Sequence, residues 1–357
     1  MNASPTLEIL SPGAYASVQD KGRRGFRRVG VPWAGVLDPR LMRIANALVG
    51  NADGSPVIEC FDGGLQLAAR GGALRVAVAG HALVELESSG ERHVLEAWRS
   101  LTMAAGDVLR LRKLEHGRIA VIAVEGMTLP QVLGSASTYA RAHLGGLEGR
   151  ALSAGDHLPA PGASQQHERM LPRPPVRETG PIRIIAGPQA DHFSAATLAA
   201  FAGSEYRVTG EADRMGIRLA GPALQHAGAR EIVSDATVPG SIQVPGNGLP
   251  IILLADAQTA GGYPKIATVI GADLARVAAA KPGETLRFAL VDALEGEALA
   301  RAAETQSHAL LASLRPLLQD GIDEEAIYCC NLVTGFVDAL SAEYRPETGD
   351  LHHPHMP

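Results

Sequence analysis

The stretch Pro250-Ile-Ile-Leu-Leu-Ala-Asp256-Ala-Gln258-Thr259-Ala-Gly261-Gly262-Tyr263-Pro264-Lys265-Ile-Ala-Thr-Val-Ile is the richest in chemistry. An apolar run enters Asp, Gln and Thr, crosses two glycines and Tyr-Pro-Lys, and turns apolar again. Polar groups buried without partners cost several kcal/mol, so this cluster requires internal partners or a ligand. Gly261 and Gly262 let a backbone come close to a bound group. Lys265 is one of four lysines among 32 basic residues, which makes its place beside the glycines informative. Its compact charge suits a carboxylate or phosphate. Asp256 and Lys265 are therefore the catalytic candidates, with Gln258, Thr259, Gly261, Gly262 and Tyr263 as substrate contacts. The pattern predicts that Asp256, Gln258, Thr259 and Lys265 line one concave pocket. The alternative is a decorated hairpin turn with a satisfied internal network.

Three further groups extend the candidate list. Asp213-Arg214-Met215-Gly216-Ile217-Arg218 spaces two arginines so that, in a strand, both share a face and form an anion clamp; a surface salt-bridge pair is the plainer reading. Gln243 follows Ser241 on one strand face between turns, approaching the pocket together with Arg214. In the N-terminal half, Gln19-Asp20-Lys21-Gly22-Arg23 is a charged glycine turn that leads to Asp38, and Gln19, Asp20, Arg23 and Asp38 are substrate-contact candidates or turn and cap residues. Other chemistries lack their motifs. There is no G-x-x-x-x-G-K-[ST] loop, no G-x-S-x-G elbow and no H-E-x-x-H helix. His352, His353 and His355 read as a tail, so no metal site is expected.

The elements that must hold these residues are short and β-like. The 357 residues include 40 glycines and 23 prolines with few aromatics, a composition of tight turns and short strands. The fold class expected is mainly β (α+β). Asp38-Pro39 followed by Leu41, Ile44, Ala45 and Leu48 reads as a capped helix over 39–49. The prolines between 159 and 181 mark an exposed linker, which divides the chain into 1–160, the linker 161–181, and 182–293. A helical extension follows over 294–345, with one helix over 298–318 burying Leu310, Leu311, Leu314, Leu317 and Leu318 and a second near 324–340. Residues 346–357 form a tail. The halves echo each other at Gly106-Asp107-Val108-Leu109-Arg110 and Gly283-Glu284-Thr285-Leu286-Arg287. A net charge of −6 argues against nucleic acid or an anionic membrane as partner. Three cysteines without a C-x-x-C, and the lack of a long apolar run or signal-like start, fit a reduced cytoplasm.

The segments GAYASVQDKGRRGFRRVGVPWAGVLDPRLMRIANALVGN, GSASTYARAHLGGLEGRAL, ADRMGIRLAGP and PGSIQVPGNGLPIILLADAQTAGGYPKIATVI resemble the biotin-dependent carboxyltransferase family. That family includes the allophanate hydrolase subunit 2-like proteins, the C subunit of 5-oxoprolinase and a domain of urea carboxylase. The resemblance implies two cyclophilin-like β-barrel domains with a C-terminal helical appendage. It implies work in a complex with a kinase-inhibitor-like B-subunit homologue and an A-subunit homologue on a small amide or lactam. The leading expectation is ATP-dependent opening of 5-oxo-L-proline to L-glutamate, with ATP held at an interface between subunits. One alternative is a carboxyltransferase that uses carboxybiotin on urea or a similar amide; biotin is then carried by another chain, because no lysine here sits between methionines. The other is a non-catalytic regulator that binds the B-subunit homologue.

Overall fold

The computed structural model describes residues 4–317 and the short strands Gly335–Val337 and Tyr344–Pro346. Those two strands pair antiparallel within a separate unit that begins at Leu317. The chain up to Pro316 is one compact unit, mainly β, with four α-helices among the described residues: α1 (Pro39–Leu48), α2 (Ala195–Gly203), α3 (Leu274–Ala278) and α4 (Ala293–Ala312). No described helix is long and apolar enough to cross a membrane.

The first sheet has 11 strands, and its spine is the antiparallel pair Leu74–Ser88 and Val108–Val124. Successive side chains of a strand point to opposite faces, and here the two faces feed two cores. Val76, Val78, Ala120, Ile122 and Val124 join Leu7, Ile9, Val18 and Leu67 on one side. Ala77, Ala79, Val121 and Ala123 face the other way and meet Leu41, Ile44, Ala45 and Leu48 of α1. Small residues on that outer face let the helix lie close. Asp38 caps α1 as expected, its Oδ1 accepting from the Arg40 and Leu41 amides at 2.9 and 3.2 Å. Its carboxyl is pushed up by burial.

The second sheet has eight strands drawn from Ile182–Leu290. Its two edge strands, Thr285–Leu286 and Phe288–Leu290, are separated in the chain by Arg287 alone, so the edges meet and the sheet is a nearly closed barrel. Ile184, Tyr206, Ile217, Ile242, Ile252, Ile266 and Phe288 are in its core, and Phe201 of α2 stacks on Phe288 with centroids 4.6 Å apart. The echo between the halves is a repeated turn. Gly106 N donates to Ala69 O and Ala69 N to Asp107 O; Gly283 N donates to Val208 O and Val208 N to Glu284 O. Asp107 and Glu284 each accept from the amide three residues back.

Several expectations about elements change. Segment 161–181 is not a free linker: Arg169–Met170 pairs with Arg99 and with Arg315–Pro316, and Leu171 is buried. The polar sequence hides this because the strand is two residues long. α4 starts and stops about five residues before the expected span, and Leu310, Leu311 and Leu314 pack on the core while Leu317 is half-buried. Leu318 lies outside the described residues, as does the expected helix over 324–340, except for Gly335–Val337, which is strand. Helices α2 and α3 were not anticipated; α2 is largely alanine, which shows no amphipathic stripe.

Candidate active site

The loop Gly22–Leu37 from the first half lies against residues 213–215 and 235–262 of the second, and the candidate residues gather along this seam. Ala34 N donates to Ala255 O at 3.1 Å, and Val36 N to Asp20 O at 3.0 Å. Gly35, at φ +85°, allows this: an added Cβ would stand 2.9 Å from Gly22 N.

Arg214 is the hub. It occupies the turn before the strand Gly216–Ala220 and is buried. Its Nε and Nη2 donate to the two oxygens of Asp256, both at 3.0 Å; Nη1 donates to Glu59 Oε1, and Nη2 also donates to Gly35 O at 2.6 Å. Glu59 Oε2 accepts from Leu37 N at 2.7 Å. Burial pushes the Glu59 carboxyl up against the pull of Arg214. Burial also works against the Arg214 charge, but Asp256 and Glu59 outweigh it and hold the guanidinium more firmly protonated than usual. Burial raises the nearby Tyr15 hydroxyl as well, countered in part by Arg214 and by its bond to Ser17. A cleft of about 280 Å³ opens beside this group, lined by Tyr15, Phe61, Arg118, Arg141, Arg214 and Asp256 among others.

A second cluster surrounds Asp20. Its carboxylate accepts from the Ser135 and Ser137 hydroxyls and the Ala136 amide, all at 2.6 Å, and from Gly22 N at 2.7 Å. Arg23 donates to Val132 O at 3.1 Å and to Ser137 O. Gln19 donates to Ser17 Oγ at 2.9 Å and Thr138 O at 3.2 Å. Three buried atoms nearby have no partner among the described residues: Gln19 Oε1, Arg23 Nη1 and Arg27 Nη1.

The third cluster holds Lys265, 1% exposed, whose Nζ donates to Asp235 Oδ2 at 2.8 Å. Gln189 Nε2 donates to the same oxygen at 3.0 Å. The bond from Lys265 pulls the Asp235 carboxyl down to about 2. Gln258 Nε2 donates to Gln243 Oε1 at 3.2 Å, which leaves the buried Gln243 Nε2 without a partner among the described residues. Thr237 links the clusters, taking Arg27 on its carbonyl and donating its hydroxyl to Gln258 O.

Measured against the sequence, the candidates divide. Asp256 and Arg214 meet, and Gln243, Gln258 and Gly261 meet, but Lys265 and Asp256 share no hydrogen-bond partner among the described contacts. The single four-residue pocket is therefore two clusters along one seam. The Arg214–Arg218 clamp does not form: Arg214 precedes the strand, so strand periodicity does not apply to it, and Arg218 is exposed and pairs with Glu211 at 2.9 Å. Asp213 shapes the turn, accepting from the Met215 and Gly216 amides at 2.8 and 3.2 Å. Thr259 contributes its carbonyl to Thr237 N, Gly262 its carbonyl to Ile232 N, and Tyr263 is exposed. Asp38 serves α1. Tyr15, Asp235 and Gln189 stand in no motif that the sequence marks. Of the buried ion group, Arg214 and Asp256 were candidates already, and the third member, Glu59, shows only as a glutamate inside the apolar run Val57–Phe61.

Comparison with known proteins supplies the lineage. Residues 29–290 match the family model described as carboxyltransferase domain, subdomain A and B. The chain is 37% identical to the C subunit of Escherichia coli 5-oxoprolinase over 79% of its own length and 90% of that protein's. It is also 37% identical to the C subunit of Haemophilus influenzae 5-oxoprolinase, covering 83% of this chain and 94% of that one. Among solved structures, Kluyveromyces lactis urea carboxylase superposes with a TM-score of 0.79 at 28% identity over 90% of this chain, which spans 30% of that longer protein.

Proposed function

The chain belongs to the family of carboxyltransferase domains with subdomains A and B, and from that premise we propose that it is the C-subunit-like component of a 5-oxoprolinase complex, opening 5-oxo-L-proline to L-glutamate with A-subunit and B-subunit homologues. The observation that carries this reading is that the match extends over 90% and 94% of the C subunits of two 5-oxoprolinases. Both halves, 1–160 and 182–293, are read as cyclophilin-like barrels, in keeping with their repeated turn.

The cleft at Tyr15, Arg141 and Asp256 is the proposed lactam site. Arg141 is exposed at the tip of a tight turn and has no side-chain partner among the described residues, so it is available for the substrate carboxylate. The Tyr15 hydroxyl, kept protonated by burial, donates to the lactam carbonyl. Asp256 has both oxygens oriented by Arg214 and keeps lone pairs for a water. Asp256 takes a proton from this water as the water oxygen joins the carbonyl carbon, the C–N bond opens, and that proton passes to the ring nitrogen. With no P-loop in the sequence, ATP is assigned to a boundary between subunits, and its chemistry to the assembled complex.

A second reading, carboxyl transfer from carboxybiotin carried on another chain, is favoured by the likeness to urea carboxylase. The buried, unpartnered Gln243 Nε2 is a donor suited to a ureido or amide oxygen. Purifying the chain with its A-subunit and B-subunit homologues and measuring 5-oxoproline-dependent ADP and L-glutamate release separates the two. Turnover supports the first reading. A complex that is inactive on 5-oxoproline but carboxylates urea when given carboxybiotin supports the second.

A further inference from the structure

Away from the seam, a second cavity of about 280 Å³ lies between α1, α3, α4 and the outer face of the first sheet. Three irregularities of the backbone build it. The long strand pair slips register on both sides of His81, whose partner across the ladder is His116. Gly80 at φ +132° and Gly117 at φ +72° flank these histidines. Trp98, a bulky residue, is held at φ +66°. Bulges re-aim side chains, and strained positions persist only where the surroundings over-determine them; both concentrate at binding sites. The consequence here is an aromatic wall: His81 lies 5.3 Å from Trp98 and 5.2 Å from His116, edge to face in both cases.

The charges around this wall are mostly matched. Arg43 pairs with Glu304, Arg276 with Asp273, Arg177 with Glu284, and Glu178 with Arg183. His81 Nε2 lies 3.2 Å from Pro175 O and so carries its proton there. Among the described residues, the Arg40 guanidinium on the first turn of α1 has no side-chain hydrogen bond and no ion pair within 4 Å, although its charge acts on the buried Asp38 carboxyl, which also lines the cavity; the His116 imidazole has no hydrogen-bond or ion-pair partner. A guanidinium with no hydrogen-bonded carboxylate, beside a free imidazole and an aromatic wall in a cavity whose other arginines are each paired, is a receptor for one small anion.

We propose that this cavity is a binding site for a small oxyanion, carboxylate or phosphate, gripped by Arg40 and His116 against Trp98. It is separate from the lactam cleft and does not depend on which reaction the complex performs.

Trp98 provides its own reporter. The chain has two tryptophans, so Trp33→Phe leaves Trp98 as the single emitter. In that background the full-length chain is titrated at constant ionic strength with inorganic phosphate, and separately with L-glutamate. We expect a saturable change in Trp98 emission with at least one of them. Arg40→Ala should weaken it tenfold or more and Arg301→Ala, on the exposed face of α4, should not. A response to phosphate alone identifies a phosphate receptor, and a response to glutamate alone a carboxylate receptor. His116→Ala, an exposed position, is the second variant should Arg40→Ala unfold. The proposal falls if neither anion gives saturation, if Arg40→Ala and His116→Ala both keep the wild-type response, or if Arg301→Ala loses it equally.

Discussion

Arg214 stands between two carboxylates in a place where water does not help, and the penalties for disturbing it are unequal. Breaking a buried ion group by removing one member leaves uncompensated charge, whereas replacing the whole group with neutral residues of similar shape is often close to neutral. Arg214→Ala should therefore cost about 3–5 kcal/mol in urea unfolding, while the triple variant Glu59→Gln, Arg214→Met, Asp256→Asn should recover most of it. Lys265 tests the opposite regime. The Asp235 carboxyl is half exposed and held at about 2, below the roughly 3.9 of an unfolded aspartate. A depressed folded pKa means that the pair stabilises the fold above about pH 4 and ceases to do so as pH falls toward 2. The difference in unfolding midpoint between wild type and Lys265→Met should accordingly shrink over that interval; a constant gap would mean that packing, not charge, accounts for the lysine. Gly261→Ala probes function instead. Its Cβ would come 2.5 Å from Gln243 Nε2, the free end of a side chain, so the amide is displaced at a cost of about 1 kcal/mol. If Gln243 holds a ureido or amide oxygen, as in the second reading, carboxyl transfer should fall on the order of tenfold to hundredfold, whereas 5-oxoproline opening at the Tyr15 cleft should be retained.

At the scale of elements, what could be read from the sequence was what is decided locally. Asp38-Pro39 announces α1 because a cap and a first-turn proline act within three residues. The polar cluster from Asp256 to Lys265 stands out in the sequence because it interrupts an apolar run. Arg214 and Gln243, expected to approach it, do meet Asp256 and Gln258, but Glu59 lies 155 positions from Arg214 and only the fold makes those two neighbours. Arg214 and Arg218 misled for a related reason: period-2 logic holds inside a strand, and one residue was outside it. The loop that joins the clusters depends on Gly35, and Gly35→Ala should lower the thermal midpoint by several degrees, because a left-handed φ and a backbone clash act together. Circular dichroism melting of that variant beside Gly25→Ala, also at positive φ but with open space around it, isolates the clash.

For the whole molecule, the decisive experiment is one of composition. The proposed function assigns ATP to a boundary between subunits, so the isolated chain should show no 5-oxoproline-dependent ADP release, and adding its partners should restore it. Full turnover by the purified chain alone would overturn that assignment. The barrel bears on how such a chain is made. Its last two strands, Thr285–Leu286 and Phe288–Leu290, are the pieces that bring the edges together, and Phe288–Leu290 pairs in parallel with Ile182–Ala186, more than a hundred residues earlier. During synthesis from the N-terminus, strands from Ile182 onward therefore emerge with two unpaired edges and wait for the closing segment. Exposed edges recruit other strands, and long-range parallel pairing is slow. A nascent chain arrested before Thr285 should be aggregation-prone or chaperone-bound on the ribosome, whereas one arrested well past Leu290, with the ribosomal tunnel filled by α4 and beyond, should be protease-resistant: closure, not collapse, is the event that commits this half of the protein to its fold.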